Sequence, residues 1–325
     1  MRYLARRFAF YLITAWAALT LNFLIPRLMP GDPAQALLSR FRGRLDPRAT
    51  EALTAMFGLN NESMWSQYRT YLADLGKGDF GLSFTFFPTP VGTVIMDSLW
   101  WTIVLVGIAT VVSFVVGTLL GIVAGWKRGS RWDQLLPITT FFSSIPYFWF
   151  GLIVLFVLSG ELRLFPLSGG YSSWLSVDFS WAFLSSAFKH AILPGLTIVI
   201  ASIAGWLIPM RNMMVTTMSD DYVVLAEAKG LAPRRVMLNY AARNAILPSV
   251  ATFTMSLGFV VGGAVLTEIV FGYPGIGNNL YQAVINEDFP LMQGIFLIIT
   301  FVVLLANFLA DLVYVWLDPR TRVEA

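Results

Sequence analysis

Six mostly apolar stretches, each at least twenty residues long, constrain this chain more than any motif does. A bilayer core of about 30 Å takes roughly 20 apolar residues per helix. The stretches run at about 8–28, 99–125, 135–160, 191–210, 248–271 and 292–317. They predict an all-α polytopic membrane protein with six transmembrane helices. The first is preceded by Arg2, Arg6 and Arg7 but is too long for a signal-peptide core. Leu24-Ile25-Pro26-Arg27-Leu28 also lacks the small residues of a cleavage site, so the stretch reads as an uncleaved anchor.

Composition supports this and removes other classes. Of 325 residues, 57% are hydrophobic and 13% charged, about half the charge of a soluble domain. Cysteine is absent, which excludes a disulfide scaffold or cysteine-ligated metal. A single histidine, His190, argues against histidine-rich metal sites and most histidine-based catalysis. A net charge of +3 gives nucleic-acid binding no electrostatic support.

Basic residues in the short loops orient the chain. Arg2, Arg6 and Arg7 fall on one side, as do Lys127, Arg128 and Arg131. Arg211, Lys229, Arg234, Arg235, Arg243, Arg320 and Arg322 join them. The alternate short loops hold only Arg163 and Lys189, or no basic residue at all, and the remaining basic residues fall in 30–98, a segment too long to be strongly bound by the rule. Both termini are therefore expected in the cytoplasm, with residues 1–29 as an anchor span, 30–98 as an extracytoplasmic segment and 99–325 as a core of five spans.

Within 30–98, Asp46-Pro47 opens an expected helix that buries Leu53, Met56 and Phe57 and stops at Gly58. Trp65, Tyr68, Tyr71, Leu72 and Leu75 form a second helical stripe. A lid over the bundle and a contact for a partner remain equal readings of this segment. The loop between the fourth and fifth spans says more. Ser219 is placed to cap a helix with Asp220 and Asp221 in its first turn, where the helix dipole favours acids. Tyr222, Leu225, Ala226 and Lys229 follow at helical spacing, Gly230 supplies a stop, and Pro233 opens a second helix that ends before Pro248. A helix of about nine residues is too short to persist alone in water. It rests on the membrane surface or docks into another protein.

Asp221-Tyr222-Val223-Val224-Leu225-Ala226-Glu227-Ala228-Lys229-Gly230-Leu231, followed by Arg243-Asn244-Ala245-Ile246-Leu247-Pro248, resembles the coupling motif of ABC importer permeases in its dipeptide/oligopeptide form. The resemblance extends along the chain, through Met29-Pro30-Gly31-Asp32-Pro33, Gly78-Asp79-Phe80-Gly81-Leu82-Ser83, Pro90-Val91, Ile145-Pro146 and His190-Ala191-Ile192-Leu193-Pro194. It continues through Glu268-Ile269-Val270-Phe271-Gly272-Tyr273-Pro274-Gly275-Ile276-Gly277, Asp288-Phe289-Pro290, Asp311-Leu312-Val313-Tyr314 and Leu317-Asp318-Pro319-Arg320. Two features depart from the wider importer pattern. Its Glu-Ala-Ala reads Val224-Leu225-Ala226 here, and the Gly230-to-Pro248 interval is longer than in the sugar and phosphate branches.

The resemblance implies a type I (MetI-like) importer fold and a multi-pass chain in a bacterial inner membrane. It implies a second homologous permease, two ATPase subunits that bind ATP and magnesium, and an extracytoplasmic substrate-binding protein. The chain itself would hold no cofactor and perform no catalysis. Gly76-Lys77 lacks the upstream glycine of a phosphate loop. Residues about 219–231 would form the coupling helix. Tyr222 and Leu225 would be docking contacts, Ala226 a close-approach position and Gly230 the turn, with Glu227, Lys229 and Arg235 at the polar rim. Asp221 and Leu231 complete the candidate surface. Peptides are the implied cargo, with oligosaccharides or another solute as the alternative.

Gly258, Gly262 and Gly263 allow close helix approach, either at a pore seam with the partner or within the chain. Glu268 and Asp311 are the two acids read as intramembrane, and such groups are candidates for function. For both, pairing within the bundle is the favoured reading, and Glu268 is also a gate candidate. Trp100, Trp101, Tyr147, Trp149 and Trp316 fit interfacial aromatic belts. A stand-alone secondary carrier would show inverted repeats, and residues 1–160 and 161–325 show none. A membrane-embedded enzyme lacks any paired-acid or histidine cluster.

Overall fold

The computed structural model describes residues 2–28, 63–262 and 264–317. The expected helix after Asp46 lies outside them, as does Gly263. Among the described residues the elements are helical throughout. They are α1 (Arg2–Leu28), α2 (Met64–Gly76), α3 (Val91–Trp126), α4 (Leu135–Ser144), α5 (Tyr147–Val154, extended by a π-helix Leu155–Glu161) and α6 (Trp181–Thr217). There follow α7 (Asp221–Ala228), a π-helix Val236–Ala242 between two single turns, α8 (Leu247–Phe259), α9 (Val265–Val270), α10 (Ile276–Ile285) and α11 (Phe289–Leu317).

Four helices, α1, α3, α6 and α11, are long and apolar enough to cross a membrane. The third expected span is not straight. α4 and α5 meet at a 94° bend, and the pair makes a fifth candidate. Pro146 forces this, because its ring bars the α conformation at Ile145, which is extended (ψ 129°). The fifth expected span is also divided: α8 passes into a 3-10 turn Val260–Gly262, and α9 starts only at Val265. The long helices α3 and α6 outrun their expected boundaries by several residues, and a side-chain cap rather than hydropathy sets the start of α6. Ser180 accepts the Phe183 N–H there (3.2 Å).

α3 and α6 form the central contact. Every fourth residue of α3 from Ala109 is small: Ala109, Ser113, Gly117, Gly121 and Gly125, all buried. A Cβ at Gly117 would stand 2.7 Å from the Trp206 Cβ, and one at Gly121 2.7 Å from the Leu207 carbonyl. At Gly125 it would meet the Met214 Cβ at 2.5 Å. The partners advance along α6 as the glycines advance along α3, so the two helices run parallel at backbone contact.

α11 and α1 close the bundle. Phe8 and Tyr11 meet Phe308 at one end. At the other, Asn22 donates to the Gln293 carbonyl (2.8 Å) and Gln293 donates to that of Asn22 (3.2 Å). The stripe on α2 packs here: Tyr68 and Tyr71 lie on Phe23, and Tyr68 shares a hydrogen bond with Thr20 (2.8 Å).

Replacing Gly121 by valine drives a side chain into the α6 backbone, at an expected cost of about 1–3 kcal/mol or more. Gly205→Ala, where a Cβ meets nothing within 4 Å, is expected to melt like the parent chain. Thermal melting of the purified variants in detergent measures both.

Candidate functional site

α7 has two unlike faces. Val223 and Ala226 are 0% and 2% exposed. They sit in a cluster with Ile122 of α3, Met210 and Met214 of α6, and Val236, Ala241, Ala242 and Ala245 beyond the loop. Val224 and Leu225 point away from that bed and are 52% and 55% exposed, and Tyr222, 39% exposed, has its hydroxyl held by Asn244 at the edge of the bed. Asp221, Glu227, Lys229 and Arg235 are exposed around them.

The helix ends follow from local chemistry. Asp220, not Ser219, occupies the N-cap, with extended backbone (φ −72°, ψ 142°). Ser219 is still in the turn that closes α6, donating to the Thr216 carbonyl (2.7 Å). At the other end Gly230 takes φ +75°, a conformation suited to glycine. Its N–H reaches the Glu227 carbonyl (2.8 Å) and that of Leu231 the Ala226 carbonyl (3.4 Å). This paired closure is a Schellman turn, and it brings Leu231 back against the buried cluster. The docking, rim and turn residues expected from sequence therefore share one surface, with two corrections. Ala226 approaches the chain's own core rather than a partner, because its side chain is enclosed by that cluster. Leu231, half-buried, belongs to the same bed.

The loop after α3 ties into this end. Arg128 donates to the Val215 carbonyl near the close of α6 (2.9 Å), and Arg211 of α6 pairs with Asp133 (3.2 Å). The Gly129 N–H and the Arg211 guanidinium hold the Asp133 carboxyl below its ordinary value. A depressed carboxylate stabilises the fold above its unfolded pKa, and the benefit fades as pH falls through the folded value. Asp133→Asn is expected to lower the melting temperature at pH 7. The gap to the parent chain should narrow as the medium is taken below about pH 5.

Glu268 is buried at the opposite end. Its carboxylate accepts the N–H groups of Gly277 (2.7 Å) and Asn278 (3.1 Å) and the Thr102 hydroxyl (2.8 Å). The Thr102 oxygen in turn accepts the Ile276 N–H (2.8 Å). The first three free N–H groups of α10 are thereby satisfied inside the bundle, two by the Glu268 carboxyl group and one by the Thr102 hydroxyl. Gly275 and Gly277 are required beside it, since a Cβ at either would strike the carboxylate. Glu268, a gate candidate from sequence, is thus committed to a structural contact.

Asp288, which the sequence reading did not single out, does the same for α11. It accepts the Leu291 N–H (3.1 Å), the Ser83 hydroxyl (2.5 Å) and the Thr85 N–H (2.7 Å). Gly258 packs within the chain, where a Cβ would stand 2.5 Å from that of Ala306 on α11. Gly262 likewise faces Ile299 (3.8 Å). Neither needs a partner to explain it. His190 bonds to the Ser186 carbonyl through Nδ1 (2.8 Å), a contact within its own helix.

Glu268→Ala strands two N–H groups and a hydroxyl, at about 1–3 kcal/mol each. The expected loss is about 3 kcal/mol or more, and Glu268→Gln, which keeps an acceptor, loses less. Denaturation of the detergent-purified protein checks the order.

Long apolar helices, helix ends buried and capped inside the bundle, and a two-faced helix seated at one end define a multi-pass membrane permease. The chain belongs to the family described as "Binding-protein-dependent transport system inner membrane component", whose model matches residues 117–323. It is 31% identical to the di/tripeptide transport system permease protein DppB of Pseudomonas aeruginosa, with 99% of each chain covered. It is 32% identical to the oligopeptide transport system permease protein AppB of Bacillus subtilis, with 92% of each covered. The dipeptide transport system permease protein DppB of Escherichia coli K12 is 31% identical, again with 99% of each covered.

Proposed function

We propose that this chain is a permease subunit of an ATP-driven importer of dipeptides or oligopeptides. The observation that carries the reading is the divided character of α7. Val224 and Leu225 stand exposed beside the ring of Tyr222, whose hydroxyl is held by Asn244, while Val223 and Ala226 are anchored among α3, α6 and the π-helix. Eight residues with that pattern suit a peg seated in a partner's groove. The peptide cargo is supported by the names of the relatives. They favour it over oligosaccharides.

The partners in this reading are a second, homologous permease, two ATPase subunits and an extracytoplasmic binding protein. ATP and magnesium reside in the ATPases, and this chain performs no hydrolysis. The end bearing Lys127, Arg211 and Lys229 faces the cytoplasm, as the positive-inside rule requires, with both termini there. Six crossings are supported by contacts between ends. α3 and α6 run parallel, so residues 127–180 return across the membrane despite their bend. The stretch 247–270 leads from the α7 bed to Glu268 beside Thr102.

Mechanically, closure of the ATPases on ATP carries α7 with them. The bed is continuous with α3, α6 and the start of α8, so those helices tilt together. The bundle is the two-state element of alternating access. Tyr222 and Leu225 supply desolvated contact area, and Glu227, Lys229 and Arg235 fix orientation at the rim.

Affinity purification of the tagged chain in mild detergent is expected to bring with it the partner permease and the ATPases. Leu225→Asp is expected to lose the ATPases while remaining inserted and folded. Recovery of a lone chain that transports without ATP would contradict the proposal.

A further inference from the structure

The two interrupted helices meet at one place. α4 ends at Ser144 and α5 resumes after the bend, while the 3-10 turn Val260–Gly262 follows α8 and α9 starts at Val265. A cavity of about 430 Å3 lies between these breaks. Ser143, Ser144, Ser202 and Ala264 are among its lining residues, with Tyr147, which the sequence reading places in an interfacial belt and the structure places here. Ser202 falls near the middle of α6, which runs from residue 181 to 217, so the cavity is at mid-membrane depth. The Ser143 hydroxyl is buried there without a hydrogen-bond partner.

Irregular backbone at such depth persists only where it is enclosed by protein or lines a wet cavity. Broken helices in transporters set their sites at this height. The volume falls within the roughly 300–1,000 Å3 of small-ligand pockets. The chemistry narrows the ligand. Among the described residues no charged side chain lines the cavity. A free ammonium or carboxylate would be desolvated there with no opposing charge. Hydroxyl groups donate and accept, as peptide amides do. Serines and a tyrosine offer little to distinguish one cargo side chain from another.

We propose that this cavity is a transit station that hydrogen-bonds the uncharged backbone amides of a peptide crossing the bundle. The proposal rests on the peptide-import reading above. The station is at the helix breaks, remote from α7, so it is separable from coupling.

The chain contains no cysteine, so one substitution gives a unique thiol in this subunit. Ser202→Cys and Ser143→Cys are near-isosteric and are read in the complete transporter in vesicles, with binding protein, ATP and a pentapeptide, whose interior amides lie away from its charged termini. Maleimide modification of each thiol is expected to proceed from the aqueous phase. Saturating pentapeptide is expected to slow it at least threefold. Ser202→Phe, which fills the cavity, is expected to cut uptake at least tenfold. Uptake by the unsubstituted complex is followed in the same vesicles. Normal uptake with thiols that peptide does not protect overturns the station alone. Absence of ATP-driven peptide uptake overturns the import reading and the station with it.

Discussion

Alanine, serine and glycine at every fourth position let the α3 backbone lie against that of α6, and the geometry of both bundle ends follows from this contact. Larger residues would hold helices 8–10 Å apart at their axes. In a bilayer there is little hydrophobic gain from helix association, so close packing must supply the attraction. At one end the pair presents Ile122, Met210 and Met214 as the floor on which α7 rests. At the other it sets Thr102 beside Glu268.

The second governing constraint is the absence of water around interrupted helices. Each break frees N–H and C=O groups that need partners. Glu268 and Asp288 answer it by capping helices that begin within the fold, and glycines give the Glu268 carboxylate room to approach. The break at Ile145-Pro146 is different. It opens onto a cavity lined with hydroxyl groups. Glu268, the described acid that looks like a candidate for chemistry, is therefore structural, while an uncharged pocket has the features of a solute path.

The apolar spans, the basic-loop asymmetry, α7 and its glycine stop were legible because each follows from local rules of hydropathy, spacing and backbone conformation. The α2 stripe was legible for the same reason. What pairs with what was not. The role of Glu268 depends on Thr102, 166 residues away, and that of Asp288 on Ser83, 205 residues away. No local pattern encodes such pairs. The face of Ala226 was misassigned because a small residue at an interface reads alike whether its neighbour is a partner or its own chain. The Gly117, Gly121 and Gly125 spacing looks no different in sequence from that of Gly258 and Gly262, and only the structure sets it against the α6 backbone. The bend at Pro146 was hidden by the apolar run on both sides.

The central claim is that α7 is clamped to the bundle strongly enough to transmit motion from a docked ATPase. Its most direct test is the amount of peptide taken up per ATP hydrolysed when the bed is altered and the docking face is left intact. In Ala226→Leu and Val223→Ala the account predicts an assembled complex that still hydrolyses ATP, with uptake per ATP reduced several-fold. An unchanged ratio in both variants, with α7 loosened from its bed, would contradict it.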